Sequence, residues 1–467
     1  MILDQVEDDE TLTSCTLVSR NWTRRSQKNL FHTLCIHDKP WYRLQDFLTF
    51  IISAAQESSR NTTYISTYVT KLQLSCTTID TPLLAITISS LPRLEELHLH
   101  DAEIVMPLDP EEEEAYNRKQ LEEDEGASLV TITCPPKSLK RLALDNVMIS
   151  GKDHAECAFI VAQFLNAFST IDHLYCNKVG FYATCQIDIN YNDWEEMLEE
   201  ASEVIGEHFE VGMISVSAKP EQTKWFLYLI SFTPKADSMT SFYAQITEEC
   251  DTGSIHTMFQ CFEHSLEELI FDTFVDPPNS DMLRKTWFPL FDYGALLKLH
   301  TVRMLFPCNP TPPLTDDNSL ESIVDSITAL LEGVRDDTIE HLSLEFTSIP
   351  LRFQVNETAR LNEWSENLNR TIGRKFEKSF EELSFVFWQH TYNEDTRNFE
   401  NLIETEFSEF DKKAMLRIEI HPPETCTTAS SYPFRRIDEC QIRPRMRIKW
   451  EKGEGEYVYS RAEGKEE

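Results

Sequence analysis

Glycine is scarce in this chain, with 12 residues in 467, where about 7% is average. Loops that cradle phosphate need the backbone freedom of glycine. The sequence contains neither such a loop nor a nucleophile elbow nor an HExxH helix. Its 12 cysteines include no CxxC pair, so neither a zinc ribbon nor a disulfide framework is indicated. A reducing compartment, cytoplasmic or nuclear, is the expectation. Long apolar runs are missing as well. The densest, residues 225–232 (WFLYLISF), falls far short of the roughly 18 residues of a membrane span. Asp4, Glu7, Asp8 and Asp9 arrive too early for a signal peptide. Basic charge is in deficit, at 43 Lys and Arg against 79 Asp and Glu, a net charge of -36. Nucleic-acid binding needs a basic face for phosphates, so none is expected, and a neutral or basic protein partner fits better.

What the chain does have is folding material: 41% hydrophobic and 11% aromatic residues alongside 26% charged ones. These are arranged in an irregular repeat: an apolar residue, two variable positions, an apolar residue, one variable position, and a further apolar residue. It reads VTKLQL at Val69, LEELHL at Leu94, LKRLAL at Leu139, LEELIF at Leu266, IEHLSL at Ile339, FEELSF at Phe380 and MLRIEI at Met415. Weaker copies are IDHLYC at Ile171 and LHTVRM at Leu299. Alternation such as Leu97 and Leu99 against His98 and His100 buries one side of a short strand. Amphipathic helical stretches lie between, at 157–168 and 320–331. Alternating strand and helix implies an α/β fold with a parallel sheet and helices layered on it. The pattern resembles leucine-rich repeats with longer, less regular spacing and without the Asn that usually follows the strand. The resemblance implies a solenoid with a curved parallel sheet that folds as one body. Between Asn190 and Glu249 the template fades, and WFLYLISF and SFYAQI read as strands.

Groups that suggest chemistry have plainer explanations. His98, His100 and Asp101 look like a metal cluster, yet the two histidines fall on the outward positions of one strand. The pairs Glu95-Glu96, Glu267-Glu268 and Glu381-Glu382 occupy the same variable positions of the repeat, so a solvated strand entrance accounts for all of them. No enzyme activity, cofactor or metal is expected. Arg443, Arg445, Arg447 and Lys449 alternate with apolar residues and read as a strand with one basic face, protected from further pairing by its charges.

Residues 11–36, TLTSCTLVSRNWTRRSQKNLFHTLCI, read as a helix with apolar residues on two opposed sides. At the helical period Leu12, Cys15, Val18 and Trp22 share a stripe and Leu17 points nearly the opposite way. One side can pack internally, and the other wants a partner. Asp8 or Asp9 can cap the start, and Arg24, Arg25 and Lys28 follow the helix, suiting its carbonyl end. The order Leu12, Cys15, Leu17, Val18, Arg20, Trp22, Arg24, Arg25, Leu30, Phe31 resembles the later part of a fungal-type F-box, the module that docks on the Skp adaptor of a cullin ubiquitin ligase. The family's Leu-Pro opening is absent. Ile2, Leu3 and Val6 are the remnant of its first helix, and the expectation is that coding sequence upstream supplies the rest.

The chain therefore divides into a truncated F-box (1–33), a degenerate leucine-rich-repeat solenoid (34–450) with an acidic loop at 109–125, and a disordered acidic tail (451–467). The resemblance implies the substrate-recognition subunit of a Skp-cullin-F-box ubiquitin ligase. The alternative is a repeat scaffold acting without a ligase. Leu12, Cys15, Leu17, Val18 and Trp22 would bind the adaptor, and through it the cullin. An unknown target protein would meet the outward strand positions, free of core duty: Gln73, His98, His100, Ala143, Asp145, Ile270, Asp272, Ser343, Glu345, Ser384 and Glu419.

Overall fold

The computed structural model describes residues 20–37, 65–75, 78–105, 136–183, 191–217, 220–245, 259–260, 262–272, 293–306, 320–346 and 355–387, with residues 401, 403–408, 410, 413 and 415–420 near the C-terminal end. Helix α1 (Arg20–Leu30) leads into strand β1 (Thr33–His37). There follow β2 (Lys71–Ser75), β3 (Thr78–Asp80), α2 (Thr81–Ser89), β4 (Glu96–His100), β5 (Glu103–Val105), β6 (Lys137–Asp145) and β7 (Met148–Gly151). Next come α3 (His154–Asn166), β8 (Phe168–Asn177), β9 (Gly180–Ala183), α4 (Tyr191–Ser202), β10 (Glu210–Ser217), α5 (Pro220–Ser231) and β11 (Ser241–Gln245). The series closes with β12 (Glu268–Asp272), β13 (Thr301–Phe306), α6 (Leu320–Gly333), β14 (His341–Phe346), α7 (Val355–Lys375), β15 (Glu382–Phe387) and β16 (Leu416–Ile420).

The fold is α/β. Twelve strands form one sheet in the order β1-β2-β4-β6-β8-β10-β11-β12-β13-β14-β15-β16, and the paired strands are parallel throughout. All nine copies of the apolar template fall on strands of this sheet. The template works because its last two apolar positions alternate into the core, as Leu72 and Leu74 or Leu342 and Leu344 do, all fully buried. Its first position, for example Leu94 or Ile339, is buried just ahead of the strand. The two variable residues between them carry the chain into the sheet. Each such leucine contributes about 1.5–3 kcal/mol by leaving water.

Helices α2 to α7 share a single apolar core with the strands. Asp80 caps α2 by accepting from the Leu83 amide at 2.5 Å, and Asp153 does the same for α3 through Glu156. The run WFLYLISF is helical within α5, which corrects the strand reading. Phe226 through Ile230 are all buried, because α5 lies among α3, α4, β9 and β10. A helix apolar all round has no period to read. The expected strand at SFYAQI is β11.

A second parallel sheet, β3-β5-β7-β9, was not legible beforehand. Its strands follow β2, β4, β6 and β8 after tight corners. Three of those corners place Asp101, Asn146 and Lys178 in the left-handed region, with φ of 49°, 54° and 54°. Asx side chains tolerate that conformation by local hydrogen bonding, and Lys178 is the uncommon case. Among the described residues no helix is long and apolar enough to cross a membrane.

Candidate partner-binding face

The sheet face turned away from the helices carries three rows of side chains set by the parallel register. The first row runs Lys71, Glu96, Arg141, His173 and Met213, then Ser241, Glu268, Thr301, His341 and Glu382. The second contains Gln73, His98, Ala143, Tyr175 and Ser215, then Tyr243, Ile270, Arg303, Ser343 and Ser384. The third begins Ser75, His100, Asp145, Asn177 and includes Asp272 and Glu345.

The expected target residues therefore do share a face, but they are not free of core duty. Ala143, Ile270, Asp272, Glu345 and Ser384 are buried on it, with Ile270 at 4%, Asp272 at 5% and Glu345 at 2% exposure. His98, His100, Asp145 and Ser343 stay partly exposed. Glu419 has no described side-chain environment. Met213, Tyr243, Ile270 and Leu305 make a separate apolar cluster on this face, to which no described helix contributes.

The glutamates at the strand entrances do more than meet solvent. Glu96 lies 3.2 Å from the Lys71 ammonium and 3.5 Å from the His98 imidazole. The His98 contact, reinforced by Lys71, holds its carboxyl down at about 2. Glu268 accepts from the Ser241 hydroxyl at 2.8 Å and sits 3.5 Å from Arg303. Glu382 is 3.5 Å from Arg417 on the next strand. The second glutamate of each pair thus ties its strand to a neighbour.

Imidazoles gather at the N-terminal end of the face. Burial lowers His98, and it holds His173 at about 3 with help from the nearby Arg141 and His98 charges. His173 and Ser215 share a 2.7 Å hydrogen bond. Along the third row His100 meets Asp145 at 2.7 Å, and the Asn177 amide donates to the other Asp145 oxygen at 2.6 Å. Asn146 donates to Asp101 at 2.5 Å across the corner. Toward the C-terminal end, Arg303 donates to the buried Glu345, and Tyr243 donates to Asp272 at 2.7 Å.

These groups bind one another across strands. Among the described residues no group of three or more His, Cys, Asp and Glu is placed to hold a metal ion. Cys157 and Cys176 are buried, and burial pushes the Cys157 thiol up to about 11 and Cys176 higher still, which makes both poor nucleophiles.

Of the expected adaptor contacts, Leu12, Cys15, Leu17 and Val18 lie outside the described residues. Trp22 falls within α1, whose Trp22 side chain is likewise undescribed. Arg24, Arg25 and Lys28 lie inside α1 rather than after it, with only Lys28 in its last turn. The acidic loop 109–125, the basic stretch 443–449 and the tail 451–467 are also outside the described residues. Comparison with protein-family models and with curated proteins returns no match.

Proposed function

We propose that this chain is a substrate receptor of a Skp-cullin-F-box ubiquitin ligase, with an F-box remnant at 1–33 followed by a leucine-rich-repeat-like solenoid. The observation that carries the reading is the run from Leu12 to Phe31, in which residue types and order match the later half of a fungal-type F-box. The architecture after it is compatible. Strands in chain order, all parallel, with helices on one face, are what stacked repeats produce, and α1 runs directly into the first strand. The receptor holds a target in position and leaves the chemistry to the ligase.

Target capture is assigned to the accessible part of the open face. On β2, β4 and β6 this comprises Lys71, Glu96, His98, His100 and Asp145, which mix both charge signs with imidazole and sit at the mouth of a rigid sheet. The test is co-purification with a Skp-type adaptor expressed alongside the full chain. Capture of the adaptor by the wild type, and its loss in a Leu17→Asp, Val18→Asp double variant with unchanged far-ultraviolet circular dichroism, is the expected result. Persistence of the adaptor in the double variant overturns the docking assignment.

A further inference from the structure

The two outer strands of the main sheet are less sealed than the strands between them. On inner strands the apolar positions that join the core are closed to water, as Leu72 and Leu74 are on β2 and Leu342 and Leu344 on β14, all 0% exposed. Leu34 and Ile36 on β1, and Leu416 and Ile418 on β16, pack against the same core and are only half-buried. Thr33 and Cys35 are exposed. Among the described residues no strand lies beyond either end.

The backbone at each end is turned outward at alternate residues. The Thr70 and Lys71 amides donate to the His32 carbonyl, so His32, Leu34 and Ile36 direct their backbone groups at β2, and Thr33 and Cys35 direct theirs away from the sheet. The Leu383 amide donates to the Met415 carbonyl, which by the same alternation turns the groups of Leu416 and Ile418 outward. Both ends present a parallel edge.

We propose that these edges dock on one another in separate copies of this chain, β16 of one copy adding in parallel beside β1 of the next. A register that sets Leu416 beside Leu34 and Ile418 beside Ile36 brings the outward backbone groups together and keeps both apolar pairs on the core side. Charge selects the partner. A chain of net charge -36 repels its copies, but residues 20–37 carry four basic and no acidic side chains, whereas residues 401–420 carry five acidic and three basic ones. Arg25 and Lys28 are exposed at the first end and Glu404 at the second. Charge therefore favours β1 against β16 and opposes β1 against another β1. Such a pairing is heterologous and builds open chains. Strands of five residues make a small interface, so the association is weak and depends on concentration. The inference is independent of the receptor reading, whose capture residues lie on the open face.

The test is sedimentation velocity of the full chain, under reducing conditions and over a wide range of concentration, beside the variants Cys35→Pro and Ile418→Pro. Each substitution removes an outward N–H from one edge and no hydrogen bond within the sheet. The wild type should grow in mass with concentration, and each variant alone should stay monomeric. An equimolar mixture of the two should form a dimer and nothing larger, because one intact β1 and one intact β16 remain. A wild type that stays monomeric throughout, assembly that ignores both substitutions, or an Ile418→Pro variant that still dimerises each overturn the proposal. Arg417→Cys gives a second measurement that needs no proline. The register sets position 417 of one copy beside Cys35 of the next, so mild oxidation should link those two positions between molecules, as read by mass spectrometry of the peptides. Linkage of Cys35 to Cys35, or no linkage between positions 35 and 417, contradicts the head-to-tail pairing.

Discussion

Arg303 donates from Nε to Glu345 at 2.6 Å, bridging β13 and β14 with Arg303 17% and Glu345 2% exposed in their side chains. The pair shows that a charge on the outward side of a strand can still be a structural element. Arg303→Ala should cost about 3–5 kcal/mol, the usual penalty for removing the counter-charge of a buried ion. Replacing both by apolar residues, as in Arg303→Met with Glu345→Leu, should recover most of it. Denaturant unfolding of the two single variants and the double decides the matter; additive losses would show that the pair does not act as a unit.

Acid should destabilise the fold in two stages. His173 titrates near 3 when folded, against an ordinary 6.5, because burial foremost disfavours its charged form. The unfolded chain then binds a proton that the native state refuses. Stability falls as pH drops below 6.5 and keeps falling toward 3, by on the order of a few kcal/mol at about pH 4. Glu96 adds a second loss as pH falls from 4.5 toward about 2, since its folded value is depressed by His98 and Lys71. In unfolding measured across pH, His173→Gln should flatten the upper part of this slope while Glu96→Gln should alter only the lower part. An unchanged upper slope in His173→Gln would refute the assignment.

Gly212 is required by a close approach between β10 and β8. A Cβ there would stand 3.0 Å from the Asp172 carbonyl oxygen, a backbone atom that cannot rotate away. Gly212→Ala should therefore cost about 1–3 kcal/mol through strain in the strand pair. Gly373→Ala is the control, because a Cβ at Gly373 meets nothing within 4 Å, and in α7 alanine should be neutral or stabilising. Equal effects of the two substitutions in thermal unfolding would contradict the close-approach reading.

The main sheet was legible in the sequence because its signal repeats. Each copy of the template pairs a buried residue such as Leu97 with an outward one such as His98, and nine weak signals reinforce one another. Strand β10 was missed although Val211, Ile214 and Val216 keep the template's apolar positions, in register with Ile171, Leu174 and Cys176. The small sheet was missed because strands such as Glu103–Val105 have three residues, too few to show a period. The face residues were identified, but their burial was not. Whether Glu345 faces water or Arg303 depends on a residue 42 positions away, and alternation records only which side of the sheet a residue takes. Of the ten residues that carry the F-box resemblance, Leu12, Cys15, Leu17 and Val18 lie outside the described residues.

The receptor account stands or falls on the affinity of the purified full chain for a purified Skp-type adaptor, measured by calorimetric titration. The account predicts saturable one-to-one binding that the Leu17→Asp, Val18→Asp variant loses while its unfolding midpoint is unchanged. No binding by the wild-type chain, or equal affinity in the variant, would contradict it.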